Sequence, residues 1–168
     1  MASTYNPLAT TTLSSAASTV TFSTISGSYT DLVLISSIKS NTANQSSLLF
    51  SCNGVETGGL YSGTMIYGTG SSAGSNRTSN QDYGTIFRNI GLSPTSTTTQ
   101  VFISQFMNYS NTTTFKTVLH RSSVADSGLE ANVSLYRSTS AITSIRVFAG
   151  TNDFGIGSMF TLYGISAA

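Results

Sequence analysis

The sequence predicts an all-β fold, an antiparallel β-sandwich, and three observations predict it. Apolar and β-branched residues alternate with polar ones in short runs. Turn-forming residues interrupt those runs about every dozen positions. Ala, Leu, Glu, Lys and Gln never cluster at the 3.6-residue period of a helix. A jelly roll is the favoured topology. An immunoglobulin-like sandwich comes second, weakened by the absence of tryptophan and the presence of a single cysteine.

Residues 1–18, rich in Thr, Ser and Ala, suit an extended arm or a peripheral strand, and residues 19–168 form the sandwich. The first strand, 19–23, alternates Val20 and Phe22 with threonines. In 31–39 the run Leu32, Val33, Leu34 and Ile35 is apolar on both faces, as in a central strand covered on both sides. Residues 47–52 end at Asn53-Gly54, a pair suited to positive φ at a sharp corner. Short strands follow at 64–67 and 83–87. Between them the Gly-, Ser- and Asn-rich stretch 68–80 reads as a surface loop.

Residues 100–107 and 115–121 read as an antiparallel pair joined through 108–114. Val101, Ile103 and Met107 share one face of the first. In the second, Phe115 and Leu119 share a face, while Lys116, Val118 and His120 take the other, which is expected to be half-exposed. Val133 pairs with Leu135 in 132–137, Ile145 with Val147 in 144–149, and Phe160 with Leu162 in 158–165.

Only 8% of the chain is Asp, Glu, Lys or Arg, against roughly a quarter in ordinary soluble domains. Seven basic and six acidic residues leave a net charge of +1. No field draws in polyanions, so nucleic acid is not an expected partner. The longest apolar run, residues 32–35, is far too short to cross a membrane as a helix. The opening residues carry neither the basic nor the apolar region of an export signal, so synthesis in a cytoplasm is expected. Two lysines, Lys39 and Lys116, and two prolines, Pro7 and Pro94, are few with which to blunt sheet edges, and self-association would cover them.

Catalytic constellations are sparse. Gly70, Ser72 and Gly74 match Gly-x-Ser-x-Gly, with Asp82 and His120 following in hydrolase order, but no helix follows the serine to form a nucleophile elbow. Cys52 beside Leu49 and Phe50 reads as a buried apolar residue. His120 has no cluster of carboxylates for a shared metal, and Asn152-Asp153 offers calcium one carboxylate, so no metal or cofactor is expected. Glu56, Asp82 and Glu130 are expected in separate loops, which supplies no acid pair for glycoside cleavage. Asn44, Asn76, Asn108, Asn111 and Asn132 begin Asn-x-Ser/Thr triplets, as chance allows in so Ser/Thr-rich a chain. The one candidate recognition loop gathers Asn76, Arg77, Asn80, Gln81, Asp82 and Tyr83, whose amides and phenol suit the hydroxyls and C–H faces of a neutral sugar.

Several segments carry a family resemblance: the opening residues 1–17, then Val20-Thr21-Phe22-Ser23, Gly27-Ser28-Tyr29-Thr30-Asp31-Leu32-Val33-Leu34, and residues 107–118, 137–145 and 160–165. The chain resembles small virion proteins of tailed bacteriophages, particularly those of aquatic and cyanobacterial phages. The resemblance spans most of the chain outside 60–96. It implies a non-enzymatic structural protein on the virion surface, made in the host bacterial cytoplasm. A capsid decoration or cement protein fits first, as a homo-oligomer, a trimer by the family's habit, with the major capsid protein as partner. The alternative it implies is a tail-fibre or baseplate module holding host glycan.

Overall fold

The computed structural model describes residues 4–41, 47–90, 100–125 and 127–166. Asn44 and Pro94 fall outside them. The described residues form twelve strands and no helix: β1 (Tyr5–Thr12), β2 (Thr19–Phe22), β3 (Asp31–Ile38), β4 (Leu48–Cys52), β5 (Tyr61–Gly68), β6 (Ala73–Gln81), β7 (Gly84–Phe87), β8 (Gln100–Met107), β9 (Lys116–Val124), β10 (Gly128–Tyr136), β11 (Ile145–Ala149) and β12 (Met159–Ile165). An eight-stranded sheet runs β1-β12-β3-β8-β9-β10-β5-β6, and a four-stranded sheet runs β2-β11-β4-β7. Neighbours pair antiparallel throughout. The fold is therefore an all-β antiparallel sandwich. Its division into eight and four strands does not by itself establish a jelly roll, which has eight strands in two sheets.

The core lies between the small sheet and the inner face of the large one. Phe50 of β4 stands at its centre, edge-on to Tyr61 at 5.8 Å and Phe106 at 5.6 Å, with His120 at 5.2 Å. Phe87 of β7 stacks on Phe102 of β8 at 4.9 Å, which joins the two layers a second time. Gly84 directly opposes Phe50 across β4 and β7, and a Cβ there would run into the Phe50 ring. Only glycine leaves that space.

The corner after β4 forms as its dipeptide requires, with Asn53 at φ 56° and Gly54 at φ 68°. The Asn53 side chain fixes it to the strand that follows in space, accepting from Thr143 N at 2.8 Å and donating to Ala141 O at 2.8 Å. β1 pairs along β12 at one edge of the large sheet, with a bulge between Pro7 and Ala9.

Three sequence expectations are corrected. The 68–80 stretch is not a loop throughout, because residues 73–81 form β6, held in register against β5 from Gly68↔Ala73 to Tyr61↔Gln81. β3 lies inside its sheet, between β12 and β8, but its double cover is partial: Leu32, Leu34 and Ile38 face the core, and on the other side Val33 is buried while Ile35 is half-exposed. His120, Lys116 and Val118 are not on a half-exposed face; they point inward and are buried, while Phe115 and Leu119 face solvent.

Truncating Phe50 removes the ring on which the two layers meet. Phe50→Ala is expected to lower the unfolding free energy by about 3–5 kcal/mol in urea denaturation, and Gly84→Ala to destabilise by displacing the same ring.

Candidate functional site

The predicted recognition residues do not converge on one surface. Asn76 and Arg77 are consecutive on edge strand β6, and their side chains therefore project to opposite faces. Asn76 Oδ1 accepts from the Arg77 backbone N–H at 2.7 Å, and the Gln81 amide donates to Ser79 O at 2.8 Å, so both amides are engaged locally. Asn80 turns the chain at φ 51°. Asp82 accepts from Gly59 N at 3.1 Å.

Tyr83 belongs with a different group. Its ring meets Phe148 edge-on at 4.9 Å, and the Arg146 guanidinium lies 4.5 Å from the Phe148 centroid. Arg146 also donates to Thr19 Oγ1 at 3.1 Å and pairs with Glu56, which accepts from Ser51 as well. The Arg146 hydrogen bond, above all, holds the Glu56 carboxyl below its ordinary range. Residues from β2, β4 and β11 thus make a small aromatic and charged patch on the outside of the four-stranded sheet. Spacing in the sequence gave no sign of it, since Glu56 and Arg146 meet only through pairing of β4 with β11.

The larger feature is the outer face of the eight-stranded sheet. Register places Val33, Gln105, Leu119, Val133 and Thr64 in one transverse row, and Ile35, Ile103, Arg121, Ala131 and Ile66 in another. Val101, Met107, Leu129 and Met159 stand on the same face. Leu129 and Ile66 are each 61% exposed, and Leu119 is 45% exposed. In β10 the usual polarity is inverted: Leu129 and Val133 face solvent, whereas Glu130, Asn132 and Ser134 are buried.

Those inward polar groups are mostly satisfied by the backbone of β7 and the residues after it. Glu130 lies on a strand rather than in a loop, and its carboxylate accepts from Asn89 N at 2.9 Å, Asn89 Nδ2 at 3.1 Å and Arg88 N at 3.2 Å. Asn132 Nδ2 and Ser134 Oγ both donate to Thr85 O. Buried Lys116 donates to the carbonyls of Thr114 at 2.7 Å and Thr139 at 3.2 Å, and desolvation holds its ammonium pKa below the usual lysine value. It ties two loops together.

Groups that could do chemistry are sequestered. Cys52 is fully buried, and desolvation pushes its thiol well above the ordinary range. His120 Nδ1 lies 2.8 Å from Ser104 Oγ, its Nε2 has no hydrogen-bond partner among the described residues, and burial pushes its pKa down to about 3. Ser72 sits on the exposed turn between β5 and β6, bonded to Thr69. The residues of the hydrolase-like pattern are thus not assembled. Among the described residues no three or more of His, Cys, Asp and Glu are grouped to hold a metal. A cleft of about 500 Å³ opens between β1 and β2, lined by Leu8, Phe22, Ile25, Tyr29 and Leu162 with threonine and serine hydroxyls at its rim.

His120 yields a pH signature. Its folded pKa lies below the unfolded value of 6.5, so the unfolded chain binds more protons as pH drops, and stability present above pH 6.5 is lost as pH falls toward 3. Between pH 6 and 5, above the carboxylate range, unfolding free energy is expected to fall by about 1 kcal/mol per pH unit. In His120→Gln most of that slope should be lost, leaving the smaller contribution of Glu56 near pH 5.

No family model and no curated protein matches this chain. Among solved structures, a protein of unknown function from Shewanella oneidensis MR-1 aligns over 98% of this chain and 77% of its own, at 12% identity and a TM-score of 0.28. A likeness that distant carries no argument about fold or function.

Proposed function

We propose that this chain is a non-enzymatic structural protein of a bacteriophage virion surface, a capsid decoration or cement protein that works as a homo-oligomer against the major capsid protein. The sequence resemblance supplies the particle. The observation that supports the mode of action is the outer face of the eight-stranded sheet, broad and exposing Ile66, Val101, Met107, Leu119, Leu129 and Val133. Such a face binds through many repeated apolar contacts rather than a few charged anchors. It suits a molecule that spends its working life within an assembly, where low charge is no handicap to solubility. Host cytoplasm would be where it is made and the virion where it acts.

The alternative, a tail-fibre or baseplate module holding host glycan, would rest on Tyr83 and the Arg146–Glu56 pair rather than on the whole 76–83 segment, whose amides are engaged locally. Emptied shells of the parent phage separate the two. A decoration protein is expected to bind them at a fixed lattice stoichiometry, to raise their melting temperature by mass action, and to remain bound from low to moderate salt. Failure to bind shells, or release by moderate salt, would overturn the decoration reading; glycan binding lost in Tyr83→Ala would favour the tail.

A further inference from the structure

We infer that the outer face of the eight-stranded sheet is the contact through which two copies of this chain pair, sheet against sheet, about a two-fold axis. The inference rests on the assembly reading above and assigns it a surface and a partner.

Local sequence and single-chain fold disagree at several positions on this face. β3 has the pattern of a strand covered on both sides, yet among the described residues Ile35, beyond buried Val33, stays half-exposed. β10 turns Leu129 and Val133 outward and buries Glu130, Asn132 and Ser134. β8 and β9 add Val101, Met107 and Leu119 to the outside. An alternation that sends leucine and valine outward on neighbouring strands is the pattern of a second core, lacking its other half.

The other half must be largely apolar and of matching area, and this chain's own face, with Asp31, Arg77 and Arg121 as the charges on its strands, meets both requirements. Eight strands of about eight residues span roughly 900 Å² at usual sheet spacings, comparable to the area of about 800 Å² that each partner of a standard interface buries. Knobs and hollows lie side by side, as a self-complementary surface needs. Leu129 and Ile66 stand proud, each beside a shallow depression over Gly68, Ala73, Gly74 and Ser75. A second depression lies over Val101, Ile103 and Ala131.

The charges on this part of the face agree. Arg121 is exposed, and among the described residues its side chain has no hydrogen-bond or ion-pair partner. Asp31 on the same face accepts from Asn108 N at 2.7 Å and Gln105 Nε2 at 3.2 Å but meets no cation among the described residues. They lie two strands and four register positions apart, roughly 16 Å at usual sheet spacings, too far to pair within one chain. Gln105 occupies the midpoint between them. A two-fold axis lying in the interface, crossing over Gln105 at right angles to the line from Asp31 to Arg121, sets each Asp31 against the other copy's Arg121, making two ion pairs.

Sedimentation equilibrium of the purified chain tests this. The wild type is expected to be a dimer; Leu119→Lys and Leu129→Lys should each weaken dimerisation at least ten-fold, and Arg121→Glu should weaken it more than Arg121→Gln. Thr21→Lys, on the small sheet, should leave it unchanged, and circular dichroism confirms that each variant is folded. A wild-type trimer, as the resemblance implies, or a monomer at all concentrations would overturn the inference. So would a dimer indifferent to the face variants, while leaving self-association standing. Shell binding by a chain that does not dimerise would retain the decoration reading and remove this surface from it.

Discussion

A sheet has two faces, and the second layer of this sandwich is half the width of the first. The four strands β2, β11, β4 and β7 cover the inner face of an eight-stranded sheet, and among the described residues no second layer covers the outer one, although Val33 there is buried. The rest of the molecule follows from that asymmetry. The core is narrow and aromatic, with Phe50 reaching across to Phe106 and Phe87 lying flat on Phe102, because two sheets about 10 Å apart are filled most economically by large rings.

The same asymmetry accounts for the polar groups inside. Where β7 lies over β9 and β10, the inward positions carry Glu130, Asn132, Ser134 and Ser122, each bonded to the backbone of β7 or of the residues that follow it. These side chains take up main-chain groups of an edge strand that the four-stranded ladder leaves open. Specific hydrogen bonds thus fix how the small sheet sits on the large one, a role that apolar contacts alone leave loosely specified. His120 and Asn132, directly opposed on β9 and β10, each retain one unpartnered buried atom in this row.

Much of the fold was legible in the sequence. β8 was placed to the residue, and the Asn53-Gly54 corner by its backbone demands, since both rest on local chemistry. β6 was not legible, because Ala73, Gly74, Ser75 and Asn76 have no strand preference of their own and are extended only through pairing with β5. The facing of β9 was misread for another reason. Period-two alternation says which residues share a face but not which face is inside, and Phe115 with Leu119 outweighs Lys116 with His120 on any hydropathy scale. The Thr139 carbonyl that Lys116 meets beside that of Thr114, and the Phe50 ring that His120 meets, come from segments distant in the chain, so no local pattern announces them. The candidate site suffered likewise: Tyr83 was singled out for its neighbours in sequence, and its neighbours in space are Phe148 and Arg146.

The outer face of the eight-stranded sheet exposes Ile66, Leu119 and Leu129 beside the charged residues Asp31, Arg77 and Arg121, and the central claim is that this face is buried in the working molecule. Hydroxyl-radical footprinting of the purified chain reads it directly. Ile66 and Leu129, each 61% exposed in the single chain, are compared with Ile156, 65% exposed on a loop away from that face. The account predicts strong protection of Ile66 and Leu129 with Ile156 fully reactive; equal reactivity at all three would contradict it.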